Sequence, residues 1–498
     1  MVKRELYDLI KSMTMSEKRY FKIYSSKHVI GGKNEYVSLF DAIDKQEAFD
    51  DEQLKKYSFV KNLSAEKNYL HKLILKSLVA FNSKLNTKVK VTGLLQNAEV
   101  LYHKGLYKQA EKQCKKALKL TDKYELFAHK MAVLELLIEL LSKQFHYQES
   151  IDVIEQGRKE AIQLNNFIFI QDLTMQAYRD QWDIGAARSS EESQVIKSYL
   201  DKLNTSGYVP DSKRAEMYIL GLELTHAFYV NDLKKMNSIS IAMNELYESN
   251  LHLIEYSTIG YISSLYNTGW SYVLSGNLNE ALLFAEKLDG LKEKYGIATS
   301  FNKGARVFFY SRLIYLDALL KLDRYSDVEK LMDSTFEGIE TFTPYIGAVH
   351  LYELYFLIAK YYFVVGNYRM ALKYTNNILN DRQFKTRKDL LAVVHLLNLL
   401  VHFEMGNDFT LEYLTKNTYN YFKSKDRLFK VEKELIRFIS GRNRDLHNEM
   451  FDEDLIQLRD AMRAHKKDPY EISPFNHFDF EYWAQSKIDG KRLEAYEK

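Results

Sequence analysis

Between residues 91 and 426, apolar positions recur at the three- and four-residue spacing of a helix face, and turn residues break the runs at near-regular intervals. The pattern is clearest around GWSYVLSGNLNEALLFAEKL, residues 269–288. Leu265, Gly269 and Tyr272 share one helical face, Gly276-Asn277 breaks it, and Leu278, Ala281, Ala285 and Leu288 stripe the next helix. Small residues at 269 and 281 predict two antiparallel helices in close approach.

The same offsets return in Ala98, Leu101, Gly105, Tyr107, Ala110, Cys114 and Ala117, and in Ala359, Tyr362, Gly366, Tyr368 and Ala371. Weaker copies turn near Phe145-His146, Gly185, Asn231, Asp323 and Gly406, so successive turns lie 40 to 47 residues apart. A generic bundle has no such interval. The arrangement resembles the tetratricopeptide repeat, a helical hairpin of about 34 residues, here in a lengthened form of bacterial type. The resemblance implies an all-α fold: a right-handed α-solenoid of about eight hairpins over residues 91–426, flanked by a helical domain at 1–90 and a capping segment at 427–498.

Outside the repeat, helices are expected near 3–12, 16–28, 34–46, 51–58 and 64–85, with Ser16 and Ser64 as N-caps, Asp50 and Gln53 as a capping-box-like pair, and HVIGGKN (28–34) as a loop. Residues 50–81 have the outline of a helix-turn-helix. At the other end Phe475, Phe478, Phe480, Tyr482 and Trp483 crowd into nine residues, and they are read as a docking segment that covers the apolar end of the array.

Composition narrows the chemistry. Four prolines and 20 glycines are too few turn residues for an all-β fold of 498 residues. The single cysteine, Cys114, excludes an internal disulfide or a cysteine metal cluster and suits a cytoplasmic protein. No apolar run is long enough for a membrane span. The net charge of +3 hides an asymmetry: residues 1–90 carry +7 and the remainder −4.

No nucleotide-binding, zinc-protease or serine-hydrolase motif is present, and no metal or cofactor is expected. His350 with Glu353 and His402 with Glu404 are read as satisfied histidines on apolar helices. RNRDLH matches the Arg-Asn-x-x-x-His signature of HEPN ribonucleases at Arg442, Asn443 and His447. It follows Gly441 in an expected loop, not a bundle helix, and is read as a solvated charged stretch.

The resemblance assigns ligands to the first helix of each unit, and its offsets fall on Tyr266, Trp270, Asp317, Phe356, Lys360 and Phe363. The function implied is a non-enzymatic interaction scaffold that binds a peptide or protein segment in this groove. The alternative is a regulator whose N-terminal domain contacts DNA through Lys55, Lys56, Lys61, Lys67, Lys72 and Lys76.

Overall fold

The computed structural model describes residues 2–26, 34–82, 86–295, 301–381, 387–440 and 449–495. Among them are 24 α-helices, a few 3-10 turns and no strand. No described helix is long and apolar enough to cross a membrane. The chain divides into two compact units: Met1–Asn165 and, save for Thr299–Phe301, everything from Asn166 onward.

The first unit opens with α1 (Val2–Ser12), α2 (Met15–Ser26), α3 (Glu35–Lys45), α4 (Asp51–Lys55) and α5 (Leu63–Asn82). Their apolar faces close on Leu6, Ile10, Phe21, Phe40, Leu70 and Ile74, with Phe21 and Phe40 at 4.6 Å between ring centres. The helix starts differ slightly from expectation. Thr14 and Glu17 form the reciprocal capping box of α2, and Asn62 caps α5, so Ser16 and Ser64 lie inside their helices. Asp50 caps α4 as expected, accepting from the Glu52 and Gln53 amides at 2.9 and 3.1 Å, whereas the Gln53 side chain bonds Gln46 instead. Next come α6 (Thr87–His103), α7 (Tyr107–Lys123), α8 (Phe127–Lys143) and α9 (Tyr147–Ile184), a 38-residue helix within which the division between units falls. Cys114 on α7 is fully buried, and burial pushes its thiol up to about 12.

The second unit continues with α10 (Ser190–Thr205), α11 (Lys213–Tyr229), α12 (Leu233–Ser249), α13 (Leu251–Tyr256), α14 (Thr258–Ser275) and α15 (Leu278–Lys294). Then follow α16 (Phe301–Lys321), α17 (Tyr325–Phe342), α18 (Ala348–Val364), α19 (Tyr368–Leu379), α20 (Lys388–Glu404) and α21 (Asp408–Ser424). The chain closes with α22 (Lys430–Ser440), α23 (Glu449–His465) and α24 (Phe480–Ile488).

All eight expected turns lie between helices, at residues with φ between +56° and +83°: Gly105, Phe145, Gly185, Asn231, Gly276, Asp323, Gly366 and Gly406. A left-handed residue after a helix redirects the chain and lets its amides satisfy the last carbonyls of the helix. Gly185 also has a spatial role, since a Cβ there would come within 2.5 Å of Asp389. The small residue at 269 marks a close crossing as expected, where a Cβ would meet Ile314 at 2.5 Å.

The aromatic tail joins the main core of this unit. Phe475, Phe478, Phe480 and Trp483 are at most 9% exposed and pack with residues of α16, α18, α20 and α22. The tail is held at its start by one buried arginine. Arg188, between α9 and α10, bonds both Glu432 oxygens at 3.0 and 3.1 Å, Glu471 at 2.9 Å and the Tyr470 carbonyl at 2.6 Å. Glu471 in turn accepts from the Lys430 and Val431 amides at the start of α22. Two carboxylates thus share one guanidinium, and the helix N-terminus offsets the remaining negative charge.

Removing one member of a buried ion cluster strands its partners and costs about 3–5 kcal/mol. Arg188→Met is therefore expected to lower the melting temperature and to speed proteolytic cleavage near residue 470. Arg188→Lys restores little, because an ammonium cannot bond Glu432 through two parallel contacts. Thermal melting and limited proteolysis of both variants check this, and unchanged melting in Arg188→Met would refute it.

Candidate functional site

The six residues assigned to the groove fall into two neighbourhoods. Four lie under the tail. Phe356 and Phe363 are 2% and 1% exposed, with His477 edge-on to the first at 6.0 Å and Phe478 edge-on to the second at 5.5 Å. Asp317 and Lys360 are also buried and pair with each other at 3.1 Å, and Lys321 stands 3.5 Å from the same carboxylate. Lys321 also donates to the Asn476 carbonyl, and the Asn476 amide donates to Asn231 at 3.2 Å. On α20, Glu404 accepts from the Trp483 indole at 2.8 Å and pairs with Lys487.

Magnitudes decide what this covering means. Four buried aromatic side chains at roughly 1.5–3 kcal/mol each stabilise the seated tail by about 6–12 kcal/mol, equivalent to affinities from tens of micromolar to nanomolar. A partner that displaced the tail would have to recover all of it. Phe356, Phe363 and Asp317 are therefore closed to a partner, contrary to the expectation that they line an open groove, while Lys360 borders a second cavity of about 450 Å³ that the tail itself helps to wall.

Tyr266 and Trp270 belong to the second neighbourhood, a cavity of about 290 Å³. One helical turn apart on α14, they share a face, with planes within 10° and ring centres 6.5 Å apart. Tyr266 stacks on Tyr310 of α16 at 4.3 Å, and Trp270 leans on Phe228 of α11 at 4.9 Å. Trp182 of α9 completes the aromatic wall, and both Tyr266 and Trp270 keep part of their surface open.

The far end of the cavity is polar and lined by His350, Glu353 and Arg387. Arg387 precedes α20 with φ +55°, a left-handed conformation that an arginine adopts only when its surroundings hold it. Its amide donates to the Trp182 carbonyl at 3.1 Å, and its guanidinium pairs with Glu353 and grips Asp389 at 2.9 and 3.0 Å. His350 Nδ1 lies 3.0 Å from Glu353, and its Nε2 lies 3.4 Å from the Tyr310 hydroxyl. Burial works to raise the Glu353 carboxyl, yet Arg387 and His350 together hold it below the usual carboxylate range. His477 of the tail approaches Asp389 at 3.9 Å, so the covered strip and the open cavity share one charge network.

The N-terminal lysines do not act as one set. Lys67 is buried against Asp51 at 2.7 Å and Lys55 pairs with Glu52 at 2.5 Å, whereas Lys56, Lys61, Lys72 and Lys76 are exposed. His350 is partnered as expected, while His402 meets Asn407 and leaves Glu404 to the tail. Arg442, Asn443 and His447 lie outside the described residues. Among the described residues no three His, Cys, Asp or Glu side chains gather where they could hold a metal. Arg387, Asp389, His477 and Arg188 were not anticipated, because nothing periodic marks them.

Histidines held neutral by burial make stability depend on pH, His395 and His477 most of all. Burial pushes both His395 and His477 down to about 4, in His477 against the opposing pull of Asp389. Below about pH 6.5 the unfolded chain binds protons at these sites while the folded chain does not. Their contribution is thus complete above pH 6.5 and lost as pH falls towards 4, by roughly 3 kcal/mol for each. The buried carboxylates Asp317, Glu353 and Asp389 are held low and lose theirs only at more acid pH. His477→Gln is expected to flatten the decline between pH 6.5 and 4.5, measured as the midpoint of chemical unfolding. An unaltered slope would show that His477 does not titrate this way.

No protein-family model matches the chain, and no curated protein matches it.

Proposed function

We propose that this chain is a non-enzymatic interaction scaffold of tetratricopeptide type, acting in the cytoplasm and holding a segment of a partner protein against its first helices. In this reading about eight lengthened hairpins form a right-handed solenoid over residues 91–426, preceded by an N-terminal domain and closed by a C-terminal cap. The left-handed residues at all eight spaced turns support it.

The observation that carries the binding function is the aromatic cavity around Tyr266 and Trp270, which stays open beside a strip that the tail closes. Aromatic side chains in such pockets dominate interface energetics. The ionisable groups of the cavity are matched among themselves: Glu353 pairs with Arg387, and His350 bridges Glu353 and the Tyr310 hydroxyl.

A second reading, DNA contact by residues 1–90, draws on the exposed Lys56, Lys61, Lys72 and Lys76. Tyr69, Leu75 and Val79 are exposed on α5, the helix that carries Lys72 and Lys76, and such a mixed surface suits a protein partner better than a phosphate backbone.

The test uses the partner recovered with the full chain from its native cell. Trp270→Ala is expected to weaken that complex by about thirtyfold, the effect of losing an anchor worth about 2 kcal/mol. Charge reversal at Lys56, Lys61, Lys72 and Lys76 is expected to change mainly the salt dependence. Titration calorimetry on variants with preserved melting transitions decides the matter. Loss of binding in the lysine variant alone, with DNA as the partner, would establish the regulator instead.

A further inference from the structure

The lining of the aromatic cavity contains two chemically different sets of polar groups. The charged set is closed. Glu353 is matched by Arg387, which also grips Asp389 outside the lining, and His350 and Tyr310 are tied into the same network. A guest with net charge would leave water and find no unmatched counter-ion there.

The neutral set is open. Tyr178, Tyr266, Ser263 and Asn267 line the cavity, and their side chains make no hydrogen bond to any described residue. Tyr178 is held by packing alone, with its hydroxyl where a Cβ on Gly221 would stand, 2.5 Å away. Ser263 and Asn267 are one turn apart on α14 and flank Tyr266. A guest that takes these groups out of solvent must hydrogen-bond them or leave them unsatisfied.

We propose that the cavity is a receptor for one neutral aromatic ring bearing a hydroxyl or a ring N–H, the side chain of a tyrosine or tryptophan in the partner segment. The identity of that segment as protein rests on the scaffold reading; the ring chemistry rests on the lining. The rings of Trp182, Phe228, Tyr266, Trp270 and Tyr310 supply offset and edge contacts for one more ring. The cavity of about 290 Å³ sits at the lower limit of the roughly 300–1,000 Å³ that accept larger ligands, which favours a single side chain. A site that hydrogen-bonds a hydroxyl discriminates against the analogue without one, because its own polar groups are then stranded.

Five probes test this on the full chain: p-cresol, 3-methylindole, toluene, benzoate and benzylammonium. Binding is read by calorimetry and by tryptophan fluorescence. Trp182 and Trp270 face the cavity, and Trp483, the third tryptophan of the chain, is buried in the tail as an internal reference. p-Cresol and 3-methylindole are expected to bind one per chain, at least about tenfold more tightly than toluene and than either charged ring. The double variant Tyr178→Phe, Tyr266→Phe removes two of the four polar groups without changing ring packing, and should reduce the preference for p-cresol over toluene. Equal binding of toluene, tighter binding of a charged ring, or an unchanged preference in the double variant would overturn the proposal. If the rings discriminate as stated but partner affinity ignores Trp270→Ala, the pocket chemistry stands and the scaffold reading falls. If Trp270→Ala abolishes partner binding while the rings fail to discriminate, the reverse holds.

Discussion

A single guanidinium sets the geometry of the second unit. Arg188 lies more than 240 residues from both of its carboxylate partners, and burying all three is tolerable only because every oxygen and most N–H groups are bonded. Once Glu471 is fixed to Arg188 and to the start of α22, the next dozen residues have few places to go. They run across α16, α18 and α20, where Phe478 covers Phe363 and the Trp483 indole reaches Glu404. The aromatic cavity lies outside the strip that the tail covers.

How far the fold was legible in the sequence depended on how local the cause was. The left-handed turns were legible because the constraint acts on one residue: Gly, Asn or Asp tolerates positive φ, and flanking periodicities show where the helix must stop. Phe145 shows that context overrides preference, since spacing located that turn although its residue type did not. The caps shifted by two residues because Thr14 with Glu17 and Asn62 with Glu66 compete successfully with Ser16 and Ser64. All of these causes lie within a few residues of their effects.

The site was legible only in part, for a physical reason of the opposite kind. Repeat offsets say which helix face a side chain occupies, and they brought Tyr266 and Trp270 together correctly on α14. They say nothing about what covers that face. The tail's aromatic density showed that it docks, but its register on α16, α18 and α20 follows from contacts such as Lys321 with Asn476, His477 with Asp389 and Trp483 with Glu404. Those pairs join distant segments, obey no period, and owe their strength to burial, which a sequence does not display.

Cys114 deserves a different reading from that of a core residue. Its thiol is wholly enclosed in the hairpin of α6 and α7, and burial holds it protonated far above neutral pH. Only a thiolate attacks an alkylating reagent, so the folded hairpin is inert and reaction requires a transient opening. Since the chain has no second cysteine, its alkylation is a clock for that motion alone. Opening of the first unit can thus be timed in the native protein without a label, separately from any event in the unit that carries the aromatic cavity.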